Sequence, residues 1–258
     1  MNKTVTAYLA IDRKNAKDAD VKIEKKANFF PYQYYFDDKG NQHLKDDKRI
    51  GILFVPNSKC TNSCLFCGPN VPILEKMVDH KLILSKAPSV RGILADVKKL
   101  YAKNKDTTEL CIGAGIGEPL LYFNTLLKLI SELKKEIPVP IRLNTNGQAT
   151  AILPEYSTKK ISDLLQKSGL NSIMISLNSI NEKDYNKLCN PKFQNAFKST
   201  ISFIKACNKS KINTIVSFVD YPASLGYPIL NKKKIDVFRI KIGLNKDQIV
   251  YRPYFQNK

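Results

Sequence analysis

The sequence holds no apolar run approaching the roughly 18 to 20 residues that cross a bilayer. Its opening, MNKTVTAYLAIDRK, also lacks the longer apolar core of a secretory signal. A cytoplasmic location is the expectation. Cysteine is scarce: six in 258 residues are too few to staple a disulfide scaffold, yet three of the six fall within SKCTNSCLFCGPN, Ser58 to Asn70. Thiolate chemistry in a reducing compartment explains that crowding better than cross-linking does. Acidic residues are short as well, 23 against 42 lysines and arginines, which leaves a formal net charge of +19. That balance favours an acidic partner, because cations beside phosphates gain affinity by releasing counterions, and it makes nucleic acid a possible partner. Arginine, which makes the bidentate phosphate contacts, is rare, however. The lysines are spread through KIEKK, KKLYAKNK and NKKKID as they are on solvated faces.

What is present describes a folded chain. Hydrophobic residues make up 43%, glycine and proline are scattered, and the length suits one large domain. From Arg49 onward strand-like and helix-like segments alternate. RIGILFVP, ELCIGAG, IRLNTN, SIMISLN, NTIVSFVDYP and DQIVYRPYF read as strands. Between them lie helical patterns: SVRGILADVKKLYAK with Ser89 as N-cap, LYFNTLLKLISELKKEI, STKKISDLLQKSG stopped by Gly169, NEKDYNKLC, AFKSTISFIKAC and KKKIDVFRIKIG. Six strands alternating with helices predict a parallel sheet with helical crossovers, an α/β partial (β/α)6 TIM-like barrel over residues 49–258. Residues 1–48 read as a small N-terminal β extension, a hairpin or edge strands turning at Asp-Lys-Gly-Asn. Its aromatic cluster, Phe29, Phe30, Tyr32, Tyr34, Tyr35 and Phe36, fits a packed hairpin face better than a base-stacking surface.

Such sheets carry their chemistry in loops at the carboxyl ends of the strands. Cys60, Cys64 and Cys67 stand there, after the first barrel strand, in a CxxxCxxC pattern compact enough for one inorganic centre. A structural zinc site normally takes four protein ligands, and His80 is the nearest histidine. An iron–sulfur cluster on three cysteines leaves one iron open to a substrate or cofactor. Cys111, Cys189 and Cys207 lack clustered spacing and read as small buried hydrophobes. After the second strand comes GAGIGEPL, with glycines that let the backbone approach a ligand and a carboxylate, Glu118, that suits an ammonium group. It is not the dinucleotide fingerprint, because the third glycine of GxGxxG is missing. The third strand ends in Asn144, Thr145 and Asn146, and the fourth offers Ser176 and Asn178. Arg252 would meet an anionic substrate or an acidic neighbour, and Asp220 is equally open.

CxxxCxxC with Phe66 before its last cysteine, followed by GIGEP, resembles the signature of the radical S-adenosylmethionine (SAM) superfamily, with Ile116 interrupting the usual glycine pair. Within it, GIGEPLL, RLNTNGQ, ISLNSINEKDYNKLCNP, TIVSFVDYP and VYRPY are similar to the TatD-associated radical SAM family, over about Arg49 to Tyr254. The chain departs from that family at VPNSKC and at Gly68-Pro69. The resemblance implies a 4Fe-4S cluster on Cys60, Cys64 and Cys67. It also implies S-adenosylmethionine cleaved reductively to a 5′-deoxyadenosyl radical, a reductant such as flavodoxin or ferredoxin, and a substrate it does not identify. It places Phe66 near the adenine, Gly115, Gly117 and Glu118 at the methionine ammonium, and Ser176 with Asn178 at the ribose and carboxylate. Asn144 and Asn146 would line the same cavity. A glycyl-radical activase and a non-catalytic iron–sulfur or zinc module with an RNA-binding surface are the alternatives.

Overall fold

The computed structural model describes residues 6–10, 34–36, 42–44, 48–67 and 84–254. Strands β1 (Ala7–Ala10), β2 (Tyr34–Phe36), β3 (Gln42–Leu44) and β4 (Lys48–Ile52) come first. After them follow α1 (Val90–Lys103), β5 (Thr107–Ile112), α2 (Phe123–Glu136), β6 (Ile141–Thr145), the single-turn α3 (Ala149–Ile152) and α4 (Thr158–Ser168). The chain closes with β7 (Ser172–Ser176), α5 (Glu182–Cys189), α6 (Ala196–Asn208), β8 (Asn213–Asp220), α7 (Lys232–Lys241) and β9 (Ile249–Pro253). Ser89 caps α1 by accepting from the Gly92 amide, and α4 ends at Gly169 in the left-handed conformation, φ 101°.

Strands β4 to β9 stand side by side in chain order and all pairs among them are parallel, a half-barrel of six strands. β1 adds an antiparallel edge to β4, with Ala7 opposite Ile52, and β2 pairs separately with β3. The Asp-Lys-Gly-Asn turn lies outside the described residues, as do Phe29, Phe30, Tyr32, His80, Gly68 and Pro69. No helix among the described residues is long and apolar enough to cross a membrane.

Alternation sorts the side chains to the two faces of the sheet. Ile50, Ile52, Leu110, Ile112, Leu143, Ile173 and Ile175 go to the convex face. There they meet Ile93 and Val97 of α1, Leu126, Leu129, Ile130 and Leu133 of α2, Ile161 and Leu165 of α4, and Phe203 of α6 in one buried cluster. Each such side chain withdrawn from water contributes about 1.5–3 kcal/mol, so this layer is the main source of stability. The concave face holds a small apolar cluster, Leu53, Leu84, Cys111, Ala114 and Ile116, with Cys67 packed against it. Met174, Val219 and Val250 are buried on that face too, among polar residues. At its amino end Arg142 Nε lies 3.1 Å from the Glu109 carboxylate, and both side chains are almost fully buried.

Candidate active site

The cysteine loop leaves β4 through a tight bend in which Asn57 and Ser58 are both left-handed, φ 51° and 53°. Two other loops hold it. The Ser63 amide donates to the Cys189 carbonyl (3.0 Å), Leu65 N to Leu188 O (3.0 Å), and Lys192 N to Thr61 O (2.8 Å), so the loop is sewn to the end of α5. On the other side the Glu118 amide donates to the Lys59 carbonyl at 2.9 Å. Gly117 lies so close beneath the loop, at φ 128°, that a Cβ there would come within 2.5 Å of the Val55 side chain. Side chains add a third tie: Asn146 Nδ2 donates to Thr61 Oγ1 (2.8 Å), and Gln148 Nε2 donates to Asn62 Oδ1 and to the Tyr185 hydroxyl.

Each sequence-nominated residue can now be placed. Cys60, Cys64 and Cys67 are half-buried thiols outside any disulfide. Asn146 Nδ2 lies 3.8 Å from Cys60 Sγ. Phe66 packs on the ring of Tyr221, 5.6 Å between centroids. Asn144 shares the concave face, where its Oδ1 is buried without a hydrogen-bond partner. Asn178 follows β7 in a left-handed conformation, φ 60°, which asparagine tolerates. Its Nδ2 donates to Cys189 Sγ (3.8 Å) while its Oδ1 is left unpaired. Ser176 accepts from Arg252 Nη2 at 3.4 Å. Gly115 and Gly117 flank Ile116 along a narrow cleft with Leu53 and Val55.

Glu118 is where geometry departs most from the sequence expectation. The carboxylate is 1% exposed. Its Oε1 accepts from Leu120 N (2.9 Å) and Thr145 Oγ1 (2.6 Å), and its Oε2 from Asn146 N (2.7 Å). It thereby caps the 3-10 turn Pro119–Tyr122 and clamps that turn to the end of β6. Burial lifts its pKa from 4.5 to about 6, against the pull of those three donors.

The thiols carry a chemical message of their own. Burial first, and then the Glu118 charge, push Cys60 up to about 12. Cys64 is raised well above the usual thiol range, chiefly by its hydrogen bond with Cys189 and then by burial. Such thiols are inert nucleophiles at neutral pH; they ionise only when a cationic centre compensates the buried charge. Among the described residues no three His, Cys, Asp or Glu side chains are gathered closely enough to hold a metal ion. Cys60, Cys64 and Cys67 nonetheless share one short loop, and three thiols are the soft donor set that iron–sulfur clusters take, so the residues fit such a group.

Sequence reasoning missed Cys189, which it set aside as a buried hydrophobe. It is fully buried as expected, but beside the cysteine loop. It missed Tyr221 as well, whose ring touches Phe66, Tyr227 and Tyr254. Asp220 is paired with Lys232 at 3.0 Å, which settles it as an ion-pair member.

A family model described as the radical SAM superfamily matches residues 54–222, from just after β4 to just past β8. The chain belongs to the radical SAM superfamily. Members of this superfamily use 4Fe-4S clusters and S-adenosylmethionine. GTPase Obg of Brachyspira hyodysenteriae is 27% identical over 183 residues, 66% of this chain and 26% of that protein. The GTP 3′,8-cyclase of Paenarthrobacter nicotinovorans is 29% identical over 148 residues, 57% of this chain and 36% of the cyclase. The chain thus spans between 26% and 36% of the length of these two curated relatives. The solved structure of methylornithine synthase covers 80% of this chain, and 53% of its own is covered, with a TM-score of 0.52 at 13% identity, a likeness of fold.

Proposed function

We propose that this radical SAM chain is an enzyme that binds a 4Fe-4S cluster on Cys60, Cys64 and Cys67 and cleaves S-adenosylmethionine reductively. The bound cofactors supply the hard chemistry, a 5′-deoxyadenosyl radical that abstracts hydrogen from a substrate. The chain's own residues bind and orient. Residues 49–258 form the catalytic half-barrel in this reading, and residues 1–48 an extension of it. In this reading the chain belongs with the TatD-associated family, on the strength of the motifs it resembles.

One observation carries the reading: three thiols stand on a loop that is tied at once to the GIGEP turn, to the end of β6 and to the end of α5. A non-catalytic cluster module has no use for that convergence on the concave face. Phe66 gives the adenine an aromatic wall, and the backbone of Gly115 to Gly117 gives the methionine part a close approach. Glu118 positions that backbone, its carboxylate being taken up by the chain's own donors. Ser176 and Asn178 would meet the ribose and carboxylate, and Asn144 and Asn146 would line the same cavity.

Anaerobic reconstitution with iron and sulfide tests the ligand set. Alanine at Cys60, Cys64 or Cys67 removes the cluster's visible absorption, whereas alanine at Cys111 or Cys207 leaves it. Full cluster in any of the first three variants removes the central claim. So does a parent protein whose full, reducible cluster releases no 5′-deoxyadenosine from S-adenosylmethionine over long incubation.

A further inference from the structure

We infer that the substrate carries an anionic group, a carboxylate or a phosphate, and that Arg252, Ser217 and Tyr221 receive it at the carboxyl ends of β7 to β9. The inference rests on the function proposed above. Its starting point is strand register. Ser176 of β7 pairs with Ser217 of β8, and Val219 of β8 pairs with Arg252 of β9. Ser217 and Val219 are two residues apart on one strand, so Ser176, Ser217 and Arg252 share one face of the sheet. It is the concave face, because Ile175 turns the other way: a Cβ on Gly147 would touch both Ile175 and Thr200 of α6. The bond from Arg252 Nη2 to Ser176 Oγ closes the group.

Arg252 Nε, Ser217 Oγ and the Tyr221 hydroxyl are all shut off from solvent with no hydrogen-bond partner. Tyr221 is 8% exposed and Ser217 fully buried. Each such orphan has lost its hydrogen bonds to water without replacement, and a bound acceptor would restore them. All three can donate, and one carries a fixed positive charge. Together they call for an acceptor with several lone pairs and negative charge. No carboxylate of the described residues forms an ion pair with Arg252; Asp220, opposite Pro253 on the neighbouring strand, is held by Lys232. The group also borders the cysteine loop, since Phe66 packs on Tyr221 and the Arg252 charge is felt by the Cys64 thiol. A ligand anchored there by its anionic end lies beside the radical's origin. The aromatic rings of Tyr227 and Tyr254, 5.2 and 5.8 Å from Tyr221, wall the outer side.

The same chemistry would suit the carboxylate of S-adenosylmethionine, so the experiment fills that position first. Cluster-loaded protein saturated with S-adenosylhomocysteine is titrated calorimetrically with inorganic phosphate and, separately, with malonate. The parent binds at least one probe saturably on top of the bound nucleoside. Arg252→Gln weakens that binding roughly ten- to a hundredfold, the effect of losing a hydrogen bond to a charged group. Tyr221→Phe, which keeps the aromatic packing, weakens it several-fold, and neither change moves S-adenosylhomocysteine affinity beyond about twofold. The inference is overturned if the parent binds neither probe, or if both variants bind the probe as the parent does. It is equally overturned if the probe is excluded by S-adenosylhomocysteine and Arg252→Gln weakens the nucleoside instead, which assigns the arginine to the cofactor's carboxylate. Iron content and 5′-deoxyadenosine release, measured on the same preparations, separate this failure from a failure of the proposed function: intact cleavage without anion binding sinks only the anion subsite.

Discussion

Replacing Glu118 with glutamine distinguishes a carboxylate that holds the fold from one that merely waits for a ligand. In the parent, three chain donors reach the carboxylate. A glutamine oxygen can keep Leu120 N and Thr145 Oγ1, but its amide group then faces Asn146 N, donor against donor. In the ionised parent that third bond is charge-assisted, worth about 1.5–3 kcal/mol, and it is already part of the balance that sets the carboxyl's pKa. Opposing it is the burial of the charge itself, which raises the Glu118 pKa from 4.5 to about 6. That rise corresponds to about 2 kcal/mol. A carboxyl whose folded pKa is raised holds its proton longer in the native state, so its contribution is fully present below about pH 4.5 and is lost as pH climbs through about 6. The glutamine cannot titrate. Urea denaturation of parent and Glu118→Gln should therefore show the variant gaining about 2 kcal/mol relative to the parent between pH 4.5 and pH 7. A stability difference that stays flat with pH refutes the assigned burial and the network together. Parent-like stability at both pH values refutes the clamp.

Two further perturbations address neighbouring features. Gly117→Ala forces a Cβ to within 2.5 Å of Val55 at φ 128°, and overpacking with a disfavoured backbone angle predicts a loss of about 2–5 kcal/mol in urea denaturation together with reduced iron uptake; parent stability and parent iron would show that the turn does not support the cysteine loop. If the +19 charge serves RNA, affinity for a single strand falls with a log–log salt slope of about 0.7 per neutralised phosphate, and absence of binding at low salt assigns the lysines to solvation.

Much of this was legible because it is local. The six strands are short apolar runs with β-branched residues, each ended by a glycine, proline or asparagine, and the helices between them show their caps in the residue order. Ser89 and Gly169 do in the structure what their positions imply. The cysteine loop announces itself by spacing alone. What escaped is set by register and docking between distant segments. An added edge in residues 1–48 was expected, but that β1 joins β4 depends on how a segment near the amino terminus returns to the sheet. The partnership of Cys64 with Cys189 follows from two backbone bonds at the end of α5 that no periodicity encodes. The Glu118 role was misjudged for a related reason. A carboxylate after a strand reads equally as a ligand or a cap until its donors are counted.

The two faces of the sheet also carry different information. On the convex face the side chains answer to the helices, and apolar pattern tells almost everything. On the concave face the residues answer more to charge and to whatever enters. Arg49 pairs in register with Glu109, and Cys111 with Arg142, which places two arginines and a glutamate together at the amino end. Deep burial of such charges is expensive unless each finds a counter-charge or hydrogen bond, and the Arg142–Glu109 ion pair meets that need. At the carboxyl end Asn144, Ser217, Tyr221 and Arg252 keep polar atoms that the chain leaves unmatched. That end is bordered by the cysteine loop through the contact of Phe66 with Tyr221, so a bound cofactor and substrate would relieve the energetic deficit there.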